Sequence, residues 1–452
     1  MKKTLKLFAL TAIALAFVAC GKDNPEEKKG NKKDEPKERT DVFGSDLFEE
    51  YVDPSSGVKS YLLKTGVGGW ECSQSNYFNS RSMTNDERFL FYFGSNTDFV
   101  QNGQRHGMII DLKYGKVYKL PNVGFSCCPY LDPDEDVIYY GYSPDPDKNR
   151  AFFYKRELLV DPSLDIKLKE LPGRILPTGN RPIKRLANHL TLTQDKKKVF
   201  LDMRLMDEFV WGLFDLYTGA WEEWGRAELN YTHGQLNPKR DDIALMAIDS
   251  YNKTDGTKVD IPYDADGTYP RLKIVRKGSN YTMKPDMTRD KNEYPGGYAS
   301  HERWDESGEY VYWSSSGACI RKLSNENDFK KYDESNGASW SSHCFFSKNN
   351  EYITFDDQSL DFYRGCRWKV KFYNIKTKKQ VFIHTLLPAM VTKQQMEDKD
   401  LSTAMGNLHP DPHPQFVCND KYIISTAHVS TAPAMTIQLC ITPVDQLIQK
   451  TK

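Results

Sequence analysis

Seven times along this chain a short block recurs: a histidine or other small or polar lead, an apolar residue three places on, a polar turn, then an apolar strand. The blocks begin at Ser80 (SRSMTNDERFLF), Cys128 (CPYLDPDEDVIYY), His189 (HLTLTQDKKKVFL) and His233 (HGQLNPKRDDIAL). They continue at His301 (HERWDESGEYVYW), His343 (HCFFSKNNEYITF) and His413 (HPQFVCNDKYIIS). Each is a hairpin too small to bury its own apolar face, so its neighbours have to cover it. Irregular repeats of this kind, roughly 40–70 residues apart, specify an all-β fold, a seven-bladed β-propeller. In that architecture the innermost strand of every blade borders a central channel, and equivalent lead residues converge on it. Five of the seven leads are histidine in a chain with nine histidines, which predicts a His-lined central channel.

Between the blocks lie paired strands that complete each blade. HGMIIDLKYGKVYKL from His106, FVWGLFDLYTGAWEEW from Phe209 and WKVKFYNIKTKKQVFI from Trp368 each read as a hairpin around a YG, TG or TK turn. A propeller also has to close its ring. SYLLKTGV from Ser60 and MTIQLCITPV from Met435 are the expected partners, joining the N-terminal and C-terminal ends in one blade. Helix signals are scarce, the best being VTKQQMEDKDLSTAM from Val391. The longest gaps precede His301 and His413, and their surplus residues are expected to wall the channel mouth.

The ends set the location. Lys2, Lys3, an apolar run from Leu5 to Ala19 and then Cys20 read as a signal peptide, too short for a membrane span. The ending FVAC looks like a bacterial lipoprotein cleavage site, although Phe17 is not the usual leucine. Residues 1–20 are therefore the expected lipoprotein signal peptide, with Cys20 as the lipidation site. Residues 21–45 form a polar tether, because a stretch such as GKDNPEEKKGNKKDEPKERT cannot bury enough surface to offset its ordering entropy. Residues 46–452 form the propeller. The expectation is a bacterial outer-membrane lipoprotein facing the periplasm or the cell surface, its only membrane contact the N-terminal lipid. Formal net charge is zero, which removes the electrostatic case for a nucleic-acid partner. Of nine cysteines, those after Cys20 contain no CxxC pair, so a zinc ribbon is excluded. The chain reads as a monomer.

His301, His343 and His413 lead consecutive blades, so their rings are expected to meet near the channel mouth. Upstream of His413 the segment HPDPHP alternates His409, Asp411 and His413 onto one face of a proline-held strand. Neutral imidazoles with a carboxylate nearby suit a divalent ion such as Mn²⁺ or Zn²⁺, so His301, His343, His409 and His413 are the candidate metal ligands. Cys344 follows His343 directly and belongs on the opposite, core-facing side. His233, one blade from this group, is the candidate general base, with Tyr231 on the same face as a proton donor. His189 lies one blade further round. Arg81 follows the lead of the first block and can pair with a substrate carboxylate.

The blocks YTHGQLNP, SHERWDESGEYVYW and HPDPHPQFVCNDKYI resemble those of propeller-type polysaccharide lyases, the oligogalacturonate lyases and ulvan lyases. The resemblance extends over most of the chain beyond about residue 60. It implies that His301 and His413 help to hold a metal ion that binds the substrate uronate, and that His233 is catalytic. The chain departs from the pattern at HPDPHP, where Asp411 stands in place of a second histidine and His409 lies two residues further upstream. Leu408 occupies the position nearest to where the family has a glutamine ligand. In ulvan lyases, zinc is structural and arginine neutralises the uronate, so the resemblance leaves the role of the metal open.

These readings converge on a lyase acting on an acidic polysaccharide or oligosaccharide. β-Elimination removes the C5 proton of a uronate once a divalent metal or an arginine has neutralised its carboxylate. A catalytically inert glycan-binding or scaffolding propeller is the competing class, since the tether and the aromatic content fit it equally well. A hydrolase finds little support: there is no GxSxG, and HERWD lacks the second histidine of HExxH.

Overall fold

A computed structural model describes Phe43 and residues 46–452, apart from the segments 97–104, 125–128, 143–149, 172–182, 206–207, 254–256, 258–270, 283–298, 315–316, 333–339, 359–368, 385–411 and 428–436. Its strands form seven separate antiparallel sheets, the seven blades of a propeller. The inner strands are Cys72–Gln74, Tyr130–Asp132, Thr191–Leu192, Leu229–Asn237, Ser300–Trp304, Trp340–Phe346 and Gln415–Val417, for blades 1 to 7. The three hairpins expected between blocks are the third and fourth strands of blades 1, 3 and 6.

Two-sided burial explains the composition of the middle strands. Phe89–Ser95, the second strand of blade 1, reads FLFYFGS and every residue in it is buried. A blade packs on its neighbours through both faces, so its second and third strands lose the usual polar–apolar alternation. Each junction between adjacent blades has its own apolar cluster, such as Phe200, Trp211 and Met246 between blades 3 and 4, and Tyr312, Cys344 and Phe355 between blades 5 and 6. Outer strands, exposed on one side, recover the alternation, as in IKLKE of Ile166–Glu170. Cys72, Cys319, Cys344, Cys418 and Cys440 are buried, and Cys344 is a core residue as its position in the block implies.

The ring closes through blade 7. Lys59–Leu63 pairs with Gln438–Pro443, with Tyr61 opposite Ile441 and Leu62 opposite Cys440, and Phe48–Val52 adds a fifth strand outside it. The Ser60 and Thr442 hydroxyls hydrogen-bond across this seam at 2.8 Å. A short C-terminal helix, Val444–Lys450, covers the closure, where Gln446 Oε1 accepts the Lys59 amide at 2.9 Å and its Nε2 donates to the Lys59 carbonyl. The helix expected from Val391 lies outside the described residues.

Blade 1 departs from the repeat. Its inner strand ends at Gln74, well before the Ser80 block, and only the bridge between Met83 and Leu90 returns the block to the sheet. The intervening excursion is closed on itself: the Asn76 amide donates to Ser82 Oγ at 2.9 Å, and the Ser80 amide to the Tyr77 carbonyl at 2.8 Å. It carries Tyr77 and Phe78 into the centre of the ring.

Leu63 is fully buried at the closure seam, so Leu63→Ala is expected to lower the free energy of unfolding by about 2–5 kcal/mol. Lys59→Ala, at an exposed ion pair with Glu50, should change it by less than about 1 kcal/mol. Denaturant titration of the two variants checks the contrast, and equal losses would mean that the seam does not hold the ring.

Candidate functional site

The histidine leads stand at defects in their strands. His233, His301 and His413 share a left-handed backbone, with φ of 57°, 55° and 46°. A non-glycine residue in this region is uncommon, and histidine is among the residues that tolerate it. The inner-strand register slips between Thr232 and Gln235 in blade 4, between Ser300 and Arg303 in blade 5, and between Ser341 and Cys344 in blade 6. Such bulges re-aim a side chain that a regular strand would direct into the interblade core. Buried carboxylates on second strands accept the amides that the bulges release. Asp356 Oδ1 accepts the His343 amide at 2.8 Å, and Asp202 Oδ2 accepts that of Gly234 at 3.3 Å. Gly234 is required there, because a Cβ would meet Phe200 at 2.7 Å and Asp202 at 3.1 Å.

The bulges bring residues from distant blocks into contact. The ring centroids of His301 and His343 are 3.9 Å apart, and those of His343 and His413 are 4.3 Å apart. His189 and His233 form a second pair at 5.6 Å. Tyr77 links the two groups, stacked on His189 at 5.1 Å and edge-on to His413 at 4.7 Å. Phe78 lies against His343 at 5.3 Å.

Protonation follows from the partners. Burial pushes His343 down to about 3, so its ring is neutral at physiological pH. Its Nδ1 lies 2.8 Å from Asp356 Oδ2, which places the proton on Nδ1 and leaves a lone pair on Nε2. That Nε2 is buried and has no hydrogen-bond partner among the described residues. An imidazole held by a carboxylate on one nitrogen and bare on the other has the chemistry of a metal ligand. Among the described residues, however, no group of three or more His, Cys, Asp or Glu side chains is disposed to hold an ion. His189 is also held well below the usual histidine range, by burial and then by the charge of His233.

His233 Nδ1 lies 2.9 Å from Oε1 of Glu302, the residue after His301. Burial of Glu302 opposes its ionisation, but the Arg271 guanidinium at 3.5 Å and His233 outweigh this and hold the carboxyl below its usual range. An ionised Glu302 keeps the His233 proton on Nδ1 and steadies the ring if Nε2 gains a second one.

The remaining candidates are placed differently. Tyr231 stacks on Trp211 at 4.7 Å, in the cluster between blades 3 and 4. Arg81 is ion-paired with Glu306, donates to the Phe416 carbonyl and lies over Phe345. These partners lie within the inner strands of blades 6 and 7 or just beyond that of blade 5. His409, Asp411 and Cys20 lie outside the described residues. Tyr77, Phe78, Asp202, Glu302 and Asp356 belong to the site although no chemistry was assigned to them from sequence. Only Glu302, inside the quoted HERW block, carried a signal that could have drawn attention to it.

The unfolded chain protonates its histidines near pH 6.5, but folded His343 does so only near 3. Between these values the unfolded state binds more protons, so stability is full above about pH 6.5 and declines as pH falls. The expected loss is roughly 1 kcal/mol per pH unit for such a ring. Denaturant titrations at about pH 7.5, 6.5 and 5.5 should show a shallower decline in His343→Gln, and parallel declines would contradict the assignment.

No protein-family model and no curated protein matches the chain. Solved structures do. An oligogalacturonate lyase in complex with manganese superposes with a TM-score of 0.60 at 15% identity, over 88% of this chain and 96% of the other. An oligogalacturonate lyase from Vibrio parahaemolyticus gives 0.59 at 16% identity, with the same coverage of both chains. This protein is a seven-bladed β-propeller structurally similar to enzymes of the oligogalacturonate lyase type.

Proposed function

We propose that this protein is a polysaccharide lyase that cleaves uronic-acid-containing glycans by β-elimination, at a histidine-lined mouth of the propeller channel. The observation that carries this reading is the chain of ring contacts that joins His189, His233, His301, His343 and His413, with Tyr77 against His189, His343 and His413 and strand bulges at His233, His301 and His343. A glycan-binding propeller has no need of a buried Glu302 that orients one of these rings.

In this reading His233 is the base. With its Nδ1 proton donated to Glu302, Nε2 takes the C5 proton of the uronate, and the resulting imidazolium is stabilised by the Glu302 carboxylate. The C5 electron pair forms the C4–C5 double bond as the C4–O4 bond breaks, and O4 leaves with a proton from water or from Tyr77. Tyr231, packed on Trp211, is less suited to that role than its spacing implied. Arg81 is likewise committed to Glu306, so neutralisation of the uronate falls to a metal. His301, His343 and His413, with His409, are the residues that would hold Mn²⁺ or Zn²⁺. A bound divalent cation would supply Lewis acidity at the uronate carboxylate. The substrate is an acidic polysaccharide or oligosaccharide.

Incubation with pectic, ulvan and glycosaminoglycan substrates should yield products with the ultraviolet absorbance of a conjugated unsaturated uronate. His233→Ala should lower kcat by about 10²–10⁴, with KM little changed, and chelation should abolish turnover. No unsaturated product from any of these substrates would remove the proposal and leave the glycan-binding reading. The N-terminal reading is part of the same proposal: Cys20 is lipidated and tethers the propeller to the outer membrane, facing the periplasm or the cell surface. Fatty-acid labelling in a bacterial host should appear in the wild type and vanish in Cys20→Ser.

A further inference from the structure

Each inner strand leads from its histidine or equivalent residue into a turn that joins it to the second strand of its blade. At the turn end is a second cavity of about 590 Å³, within the range of small-molecule sites. Its lining carries four carboxylates, Asp134, Asp305, Glu306 and Asp420, and four cations, Arg81, Lys239, Arg303 and Lys348. The carboxylates are already engaged. Asp305 accepts from Ser307 Oγ at 2.6 Å and the Tyr310 amide at 2.9 Å, and Glu306 is paired with Arg81. Asp420 accepts the Lys348 amide at 2.7 Å, and Asp134 the Asn85 side chain at 2.7 Å.

Three of the four cations are not, since Arg81 is the partner of Glu306. Arg303, Lys239 and Lys348 have no acidic partner within ion-pair distance among the described residues. Arg303 is fixed all the same. Its guanidinium lies 3.8 Å from the centre of the Phe345 ring, and Nη1 donates to the Phe78 carbonyl at 3.1 Å. The remaining N–H groups of its planar fork are suited to a bidentate carboxylate.

From this geometry we infer that the turn-end cavity is a second ligand site, for a sugar that bears a carboxylate. Arg303 receives the carboxylate, Lys239 and Lys348 stand at the rim, and the Asn79, Asn349 and Asn419 amides meet hydroxyl groups as donors and acceptors. Equal numbers of positive and negative side chains disfavour a multiply charged anion such as phosphate. The identity of the sugar as a hexuronate rests on the proposed function, whereas the site itself does not need turnover at the histidines.

Calorimetric titration of the full chain with galacturonate, glucuronate, galactose and inorganic phosphate tests this. The wild type should bind a hexuronate at least about tenfold more tightly than galactose or phosphate. Arg303→Met should lose about tenfold or more of that affinity, and His233→Ala should keep it. If Arg303→Met does not fold, Lys239→Met at the exposed rim should weaken hexuronate binding several-fold. The inference is overturned if phosphate or galactose binds as well as the uronate. It is also overturned if folded Arg303→Met binds like the wild type, or if His233→Ala alone abolishes binding. Lyase activity without turn-end binding sinks this inference alone, and binding without any unsaturated product sinks only the lyase reading.

Discussion

Burial of both faces of every blade is the constraint on which the rest of the structure depends. A sheet such as blade 3, with Phe200, Leu201, Val210 and Trp211 all buried, is insoluble by itself and stable only between two neighbours. Seven such sheets leave no free apolar face only when the ring is complete. The pairing of Lys59–Leu63 with Gln438–Pro443 is therefore the step that makes every other interface possible, and the C-terminal helix covers it.

A closed ring fixes where the inner strands stand, but it does not fix where their side chains point. That is decided by local departures from the strand. Left-handed residues at His233, His301 and His413 each carry a conformational cost, and two of the bulges also hold a buried hydrogen bond, from the Gly234 amide to Asp202 and from the His343 amide to Asp356. Asp356 shows the economy of the arrangement, since one carboxylate accepts both the amide and the ring of His343. Glu302 does comparable service for a neighbouring blade: it follows His301 in sequence but orients His233. His343 and His233 are oriented by the carboxylates of Asp356 and Glu302, whereas Arg81 and Arg303 both lie over the Phe345 ring. Tyr77 and Phe78 stand among the histidines, with the Phe78 carbonyl bonded to Arg303 behind them.

The repeat was legible because it follows from chain-local physics. Hairpins that cannot bury themselves recur at the spacing of a blade, and the number of blocks is the number of sheets. The histidine leads were legible too, since equivalent positions of a rotationally repeated unit have to be neighbours. Where the unit broke its own pattern, reading failed. The Ser80 block gave no warning that the inner strand of blade 1 ends at Gln74 and sends Tyr77 to the centre. The period-two rule put Tyr231 beside His233, whereas the bulge there breaks the period and leaves the phenol on Trp211.

Sequence alone thus determined the all-β class, the count of seven, the partners that close the ring and the blocks from which the histidines come. All of these depend on composition and spacing along the chain. Only the tertiary structure decided that His343 answers to Asp356 and His233 to Glu302, that Arg81 is committed to Glu306, and that a cavity is lined by Arg303, which has no acidic partner within ion-pair distance among the described residues. The reason is physical: each of these depends on the direction of a side chain, within a blade for His343 and across blade boundaries for His233 and Arg81. A single residue in the left-handed region reverses that direction without changing the repeat.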